Sequence, residues 1–160
     1  MIIATVGGAD STSYVTISEA DNYFETHPYA TAWTGDQESQ LEYATMMLDS
    51  LVVWKGDKAT TSQALEFPRL TPKDDGTTIP NKIKRAQMEL TLHLINNPQF
   101  SYESSDFKVI ELGEVRIEPN IDKNNSVFVL PTIVQALISE YGSVKETGNS
   151  SMTSVRVQRG

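Results

Sequence analysis

The sequence predicts a mainly α-helical fold: a small bundle of four to five helices with one β-hairpin and an extended C-terminal tail. Three observations predict it. Four segments place apolar residues at helical spacing, with helix-starting or helix-stopping residues at their ends. One segment alternates apolar and polar residues, which is typical of a strand pair with one exposed face. The last eighteen residues are small and polar, and they carry too few large apolar side chains to form a core.

The first two helices are predicted in the N-terminal third of the chain. Thr16 and Glu19 have the spacing of a capping box, in which each side chain bonds the other's backbone N–H. This predicts a helix that runs to about Glu25. A second helix is predicted from about Asp36 to about Val52, because leucine and alanine recur there at helical spacing.

The later helices flank the predicted hairpin. The strongest helical pattern runs from about Pro80 to Asn96 and has two apolar stripes, which predicts a helix at the centre of the bundle. The β-hairpin is predicted at about 107–118, around a Leu-Gly turn. Pro131 stands at a favoured first-turn position for the last helix, which we expect to end just before Gly142.

The predicted domain spans residues 1–142, and residues 143–160 are predicted to be a flexible tail. The end of this tail alternates valine with arginine or glutamine, a pattern that can add as a strand to an exposed sheet edge. Its guanidinium groups suit an acidic partner surface. A tail without any role is the alternative. The predicted partner-docking residues are Val155, Arg156, Val157 and Arg159.

The charge of the chain disfavours binding to nucleic acid. Thirteen Lys and Arg face twenty-one Asp and Glu, which gives a formal net charge of −8 and a pI near 4.7. Phosphate binding needs clustered cations that release counterions.

No apolar run approaches the roughly 20 residues of a membrane span, and the N-terminus lacks the basic region of a signal peptide. We therefore expect no membrane association.

Residues that carry chemistry are few. The chain has no cysteine, which excludes disulfides, thiolate metal sites and a cysteine nucleophile. Of its two histidines, His27 precedes a proline in a loop and His93 lies in the predicted central helix. No metal-ligand spacing, phosphate loop or nucleophile motif is present. We expect no enzymatic activity, no catalytic residue, no metal and no cofactor.

A motif in the middle of the chain goes beyond a generic helix pattern. Between positions 44 and 69 it reads Ala-Thr, Leu-Asp, Trp-x-Gly and then Gln-Ala-Leu-x-Phe-Pro-Arg. Its large apolar residues are predicted to lie in the core, and Gly56 is predicted to cap the second helix in a left-handed conformation. Pro68 stops helix formation, and Arg69 is predicted to bond carbonyls at a nearby helix end. The motif residues are Leu48, Trp54, Gly56, Phe67, Pro68 and Arg69.

The aromatic residues admit a second interpretation. Trp33, Trp54 and Phe67 are residue types on which nucleic-acid bases stack. More often such side chains pack a small helical core, and no basic residues surround them in the sequence. Core packing is therefore the favoured prediction, with base stacking as the alternative.

The central motif resembles that of a bacteriophage protein family. The family pattern runs alanine, leucine-aspartate, tryptophan-x-glycine, then alanine-leucine, an aromatic residue and proline-arginine. The opening Ser13-Tyr14-Val15 and the closing Val-Arg-Val-x-Arg-Gly also match, and Phe67 stands where the family pattern has tryptophan. The family is labelled both as the head–tail connector (adaptor) of tailed bacteriophages and as a DnaT-like single-stranded-DNA-binding protein.

The resemblance implies a structural subunit of a phage neck, assembled in the host cytoplasm and resident in the virion. Such subunits form a homo-oligomeric ring, commonly of twelve copies, between the portal protein and the next neck or tail-terminator ring. DNA passes through the ring without sequence-specific binding. The alternative function is single-stranded-DNA binding in phage replication. The net charge favours the connector, because a repulsive wall lets DNA pass without sticking.

Overall fold

The computed structural model describes residues 1–98 and 130–145. These residues form a mostly helical structure with small antiparallel strand pairs, which confirms the predicted fold class. The helices are α1 (Ile17–Glu25), α2 (Gln37–Leu51), α3 (Asn81–Asn96) and α4 (Thr132–Ile138), with a 3₁₀ turn at Ala30–Ala32. The strands are β1 (Val52–Trp54), β2 (Asp57–Lys58), β3 (Arg69–Thr71), β4 (Asp74–Asp75) and β5 (Gly142–Val144).

The helices begin where the sequence predicts. Thr16 Oγ1 accepts a hydrogen bond from the backbone N–H of Glu19 at 3.2 Å, and the Glu19 carboxylate accepts one from the N–H of Thr16 at 2.8 Å. This is the predicted capping box, which satisfies two N–H groups that a helix start leaves free. Asp36 caps α2 by accepting from the N–H of Ser39 at 3.2 Å. Proline precedes both α3 and α4.

Helix α3 lies at the centre of the bundle, as its two apolar stripes predict. It packs against both α2 and α4. One stripe enters a core cluster with α2, α4 and the segment around Phe67. The other stripe, which includes Met88 and Leu92, enters a second cluster with α1. A helix that is apolar on two faces is buried from two sides, and here each face serves a different cluster.

Strand β5 corrects the predicted start of the tail. Helix α4 ends at Ile138, and the chain then pairs antiparallel with β1 over Gly142–Val144. The N–H of Lys145 also donates to the carbonyl of Leu51 at 2.7 Å. Residues 143–145 therefore belong to the folded unit. The predicted hairpin at 107–118 and the predicted docking residues Val155, Arg156, Val157 and Arg159 lie outside the described residues.

The three-stranded sheet β2–β3–β4 lies between the second and third predicted helices, where we predict no strand. Gly56 is not a helix cap, because α2 passes directly into β1 and Gly56 occupies the turn between β1 and β2. Its φ of 72° lies in the left-handed region. A side chain is also excluded there, since a Cβ atom would lie 2.1 Å from the carbonyl oxygen of Leu70.

Membrane insertion through a helix finds no support in residues 1–98 and 130–145. None of their helices combines the length and the apolar character that a bilayer span needs.

Candidate functional site

Phe67 lies at the centre of a cluster of aromatic rings. Its ring centroid is 4.9 Å from that of Trp54 and 6.0 Å from those of Tyr14 and Tyr141, all in edge-on geometry. Such pairs are favoured because the positive ring edge meets a negative ring face. Phe67 is 2% exposed, and Leu48 lies fully buried in the same cluster, whereas Trp54 is partly buried. The cluster joins the N-terminal loop, β1 and the segment after α4.

Arg69 is buried beside this cluster and holds the turn after β1. Its guanidinium donates from Nε to the carbonyl of Lys55 at 2.8 Å and from Nη2 to the carbonyl of Gly56. Nη1 donates to the carboxylate of Glu66 at 2.5 Å. Arg69 thus bonds backbone carbonyls, but in the turn between β1 and β2 rather than at a helix end. Pro68, which precedes Arg69 and is joined to Phe67 by a cis peptide bond, is also buried.

A buried carboxylate connects the N-terminal loop to the motif. Tyr14 Oη donates to Asp49 Oδ1 at 2.5 Å, and Asp49 Oδ2 accepts from the N–H of Glu66 at 3.2 Å. Burial raises the pKa of Asp49 to about 6, although both hydrogen bonds favour its charged form. Burial, together with the neighbouring carboxylate, raises the pKa of Tyr14 well above its ordinary value.

The sequence holds a signal for Asp49 that pattern reading missed. An acidic side chain in the last turn of a helix is unfavourable next to the partial negative charge of that helix end. Its presence in α2 therefore indicates a specific partner, which is the Tyr14 hydroxyl.

Asp49 should make the stability of the protein depend on pH between about 4 and 6. Its pKa in the folded state, about 6, lies above the ordinary value of 3.8, so the folded state binds this proton more tightly than the unfolded state. The free energy of unfolding should therefore fall as pH rises from about 4 to about 6, by up to about 2–3 kcal/mol from this group.

Urea denaturation at several pH values measures this effect. Asp49→Asn should remove the decrease, whereas Asp10→Asn, at an exposed loop position, should leave it as in the parent. An identical pH dependence in the parent and the Asp49→Asn variant would show that Asp49 does not titrate in this range.

Gln87 is a second buried polar group that the sequence reading missed. It is fully buried on α3, and its Nε2 donates to Ser13 Oγ at 2.7 Å and to the carbonyl of Leu41 at 3.1 Å. Its Oε1 accepts from the N–H of Tyr14 at 3.0 Å. One side-chain amide thus joins the N-terminal loop, α2 and α3. The available signal was a polar residue at helical spacing within the apolar stripe of α3.

Trp33, Trp54 and Phe67, the three proposed stacking residues, each pack against another aromatic ring. The ring of Trp33 lies 4.7 Å from that of Phe24, and its Nε1 donates to Asp21 at 2.8 Å. Trp54 packs edge-on against the buried Phe67. A stacking platform combines an open ring face with nearby cations. The polar partner of Trp33 is instead a carboxylate, which repels phosphate.

The negative charge of the protein is concentrated in its N-terminal third. Residues 1–54 contain eight Asp and Glu and neither Lys nor Arg, whereas residues 55–160 contain thirteen acidic and thirteen basic residues. The formal charge of −8 therefore belongs to the N-terminal loop, α1 and α2 with its N-cap. Three lysines of the described chain form ion pairs, namely Lys58 with Glu66, Lys82 with Glu140 and Lys84 with Glu19.

The histidines are placed by local hydrogen bonds. His27 Nε2 lies 3.2 Å from a carboxylate oxygen of Glu89, which also accepts from Tyr23 Oη at 2.6 Å. His27 Nδ1 accepts from the N–H of Tyr29 at 3.3 Å, so the ring fixes the loop after α1. Burial lowers the pKa of His93 in α3.

No group of three or more potential metal ligands occurs in residues 1–98 and 130–145.

Comparison with known proteins gives one family. Neither the curated proteins nor the solved structures contain a match to this chain. A family model described as "putative DnaT-like ssDNA binding protein" matches residues 1–160, the whole chain. The chain therefore belongs to this DnaT-like family.

Proposed function

We propose that this protein is a non-enzymatic structural subunit of a bacteriophage neck, where copies of it form a ring beneath the portal and let DNA pass from head to tail. The observation that carries the proposal is the placement of the whole net charge in residues 1–54. A DNA channel needs walls that repel or weakly contact phosphate, and the carboxylates of residues 1–54 meet that need.

The fold also offers surfaces for assembly. Within the described residues the two-stranded sheet pairs β1 with β5 alone, and the edges of so small a sheet are the kind of surface to which a partner strand adds. Val53 in β1 and Ile133 in α4 are large apolar residues with about half of their surface exposed. Contacts between different surfaces of neighbouring copies close into a ring when the rotation permits. A ring of twelve, the portal protein and the next neck ring remain the proposed partners.

Single-stranded-DNA binding is the second candidate, and the description of the family favours it. In its support, five of the thirteen basic residues lie outside the described ranges. Against it, Trp33, Trp54 and Phe67 pack against other rings, and the described N-terminal third carries no Lys or Arg. The neck-subunit function and the DNA-binding function differ in whether the free protein binds single-stranded DNA.

Fluorescence anisotropy with a labelled single-stranded oligonucleotide distinguishes the two candidates. The neck-subunit proposal predicts no submicromolar binding at physiological salt. Submicromolar affinity that weakens steeply with added salt would overturn the proposal in favour of DNA binding, because such a slope reports released counterions. In that case Trp33→Ala, which removes one of the two partly buried tryptophans, should reduce the affinity if stacking contributes.

A further inference from the structure

A groove runs along the exposed side of α2. It has a volume of about 500 Å³ and lies between α2, the N-terminal loop and the segment before Phe67. Its apolar lining comes from Tyr43, Met46 and Leu65, and Met46 is 54% exposed. Helix α2 buries four residues on its inner side but leaves the large thioether of Met46 in water on this side. Such a face is a candidate docking surface.

The groove is bordered by negative charge. Glu42 lines it and accepts a hydrogen bond from Thr12 Oγ1 at 2.9 Å. Glu38 lies one turn earlier on the same face and pairs with the N-terminal ammonium at 3.2 Å. Neither α2 nor the N-terminal loop contributes a Lys or Arg side chain. An occupant of this groove should therefore combine small apolar side chains with cations.

The C-terminal segment of the same chain has that chemistry. Residues 155–159 read Val-Arg-Val-Gln-Arg, so they offer two valines and two guanidinium groups. Residues 146–160 contain only one acidic residue, Glu146. The segment is thus a cationic and apolar complement to the acidic groove.

The described chain also ends at the right place for this contact. Lys145 Nζ donates to the carbonyl of Ser50 at 2.7 Å, at the C-terminal end of α2. Met46 lies one helical turn before Ser50, about 6 Å along the axis. Val157 follows Lys145 by twelve residues, which span up to about 40 Å when extended. The segment can therefore reach the groove within its own chain, where tethering gives an effective concentration in the millimolar range.

We propose that residues 155–159 bind in the α2 groove of their own chain in the free subunit, with the valines against Met46 and the arginines toward Glu42 and Glu38. This contact covers the exposed apolar surface of α2 until a partner takes the segment. It does not depend on the ring proposal, because it concerns one free chain.

Disulfide trapping in the full-length chain tests this contact, and the absence of native cysteine simplifies the experiment. Met46→Cys with Val157→Cys forms the test pair, and Ile133→Cys with Val157→Cys forms the control pair. Met46 and Ile133 are 54% and 50% exposed, so both substitutions should leave the fold intact, which circular dichroism checks. A third variant adds Arg156→Glu and Arg159→Glu to the test pair. Mixing with isotope-labelled protein separates links within a chain from links between chains.

Under mild oxidation the test pair should form a link within one chain at least about tenfold faster than the control pair, because binding raises the local concentration of the two thiols. The charge-reversed variant should fall to the control rate. Equal rates for the test and control pairs would overturn the proposal. So would a rate that charge reversal leaves unchanged, or a link that joins labelled to unlabelled chains.

Discussion

Replacing Phe67 with alanine should lower the free energy of unfolding by about 3–5 kcal/mol. Phe67 is 2% exposed and makes edge-on contacts with three other rings. Its removal leaves a cavity where the N-terminal loop, β1 and the segment after α4 meet, so these neighbours can collapse only in part. The loss of ring contacts adds to the loss of buried apolar area.

Urea denaturation with linear extrapolation measures this change. Trp54→Ala should cost less than Phe67→Ala, because Trp54 is only partly buried. Ile133→Ala, at a position that is 50% exposed, is the surface control and should change the free energy by less than about 1 kcal/mol. If Phe67→Ala unfolds at the same urea concentration as the parent, the ring cluster does not hold these segments together.

Replacing Arg69 with methionine should lower the free energy of unfolding by about 2–3 kcal/mol. The apolar stem remains, but the carbonyls of Lys55 and Gly56 lose their donors and Glu66 loses a charge partner at 2.5 Å. The cost arises because one buried guanidinium bonds three residues at once, and its loss removes all of these charge-assisted hydrogen bonds together.

Two variants make the Arg69 result specific. Arg69→Lys should recover only part of the loss, because one ammonium cannot present the planar set of donors that reaches three residues. Arg85→Met, at an exposed position of α3, should change the free energy of unfolding by no more than about 0.5 kcal/mol. A loss in Arg85→Met equal to that in Arg69→Met would attribute the effect to net charge rather than to the bonded carbonyls.

The helices of this protein could be predicted because their signals are local. The capping box at Thr16 and Glu19, the apolar stripes of α3 and the prolines before α3 and α4 all act within a few residues. The strand pairs could not be predicted in the same way. β1 and β5 are three residues long and lie about ninety positions apart, so no local alternation marks their pairing.

The same distinction applies to the candidate site. The motif around Phe67 and Arg69 could be recognised in the sequence because a helix pattern alone does not explain it. The carbonyls that Arg69 bonds could not be predicted, because they depend on how two turns meet in the fold. Tyr14, which bonds both Asp49 and Gln87, comes from the N-terminal loop, more than thirty positions away from either. The net charge follows from the composition alone. Which parts of the fold carry it became clear only when the structure showed that residues 1–54 form α1, α2 and β1.

Electron microscopy of the purified protein mixed with portal rings tests the proposed function most directly. The neck-subunit proposal predicts closed rings of this protein, stacked coaxially on one face of the portal, with an open central channel. A protein that stays as single subunits and fails to co-purify with the portal, under conditions where the portal ring is intact, would contradict it.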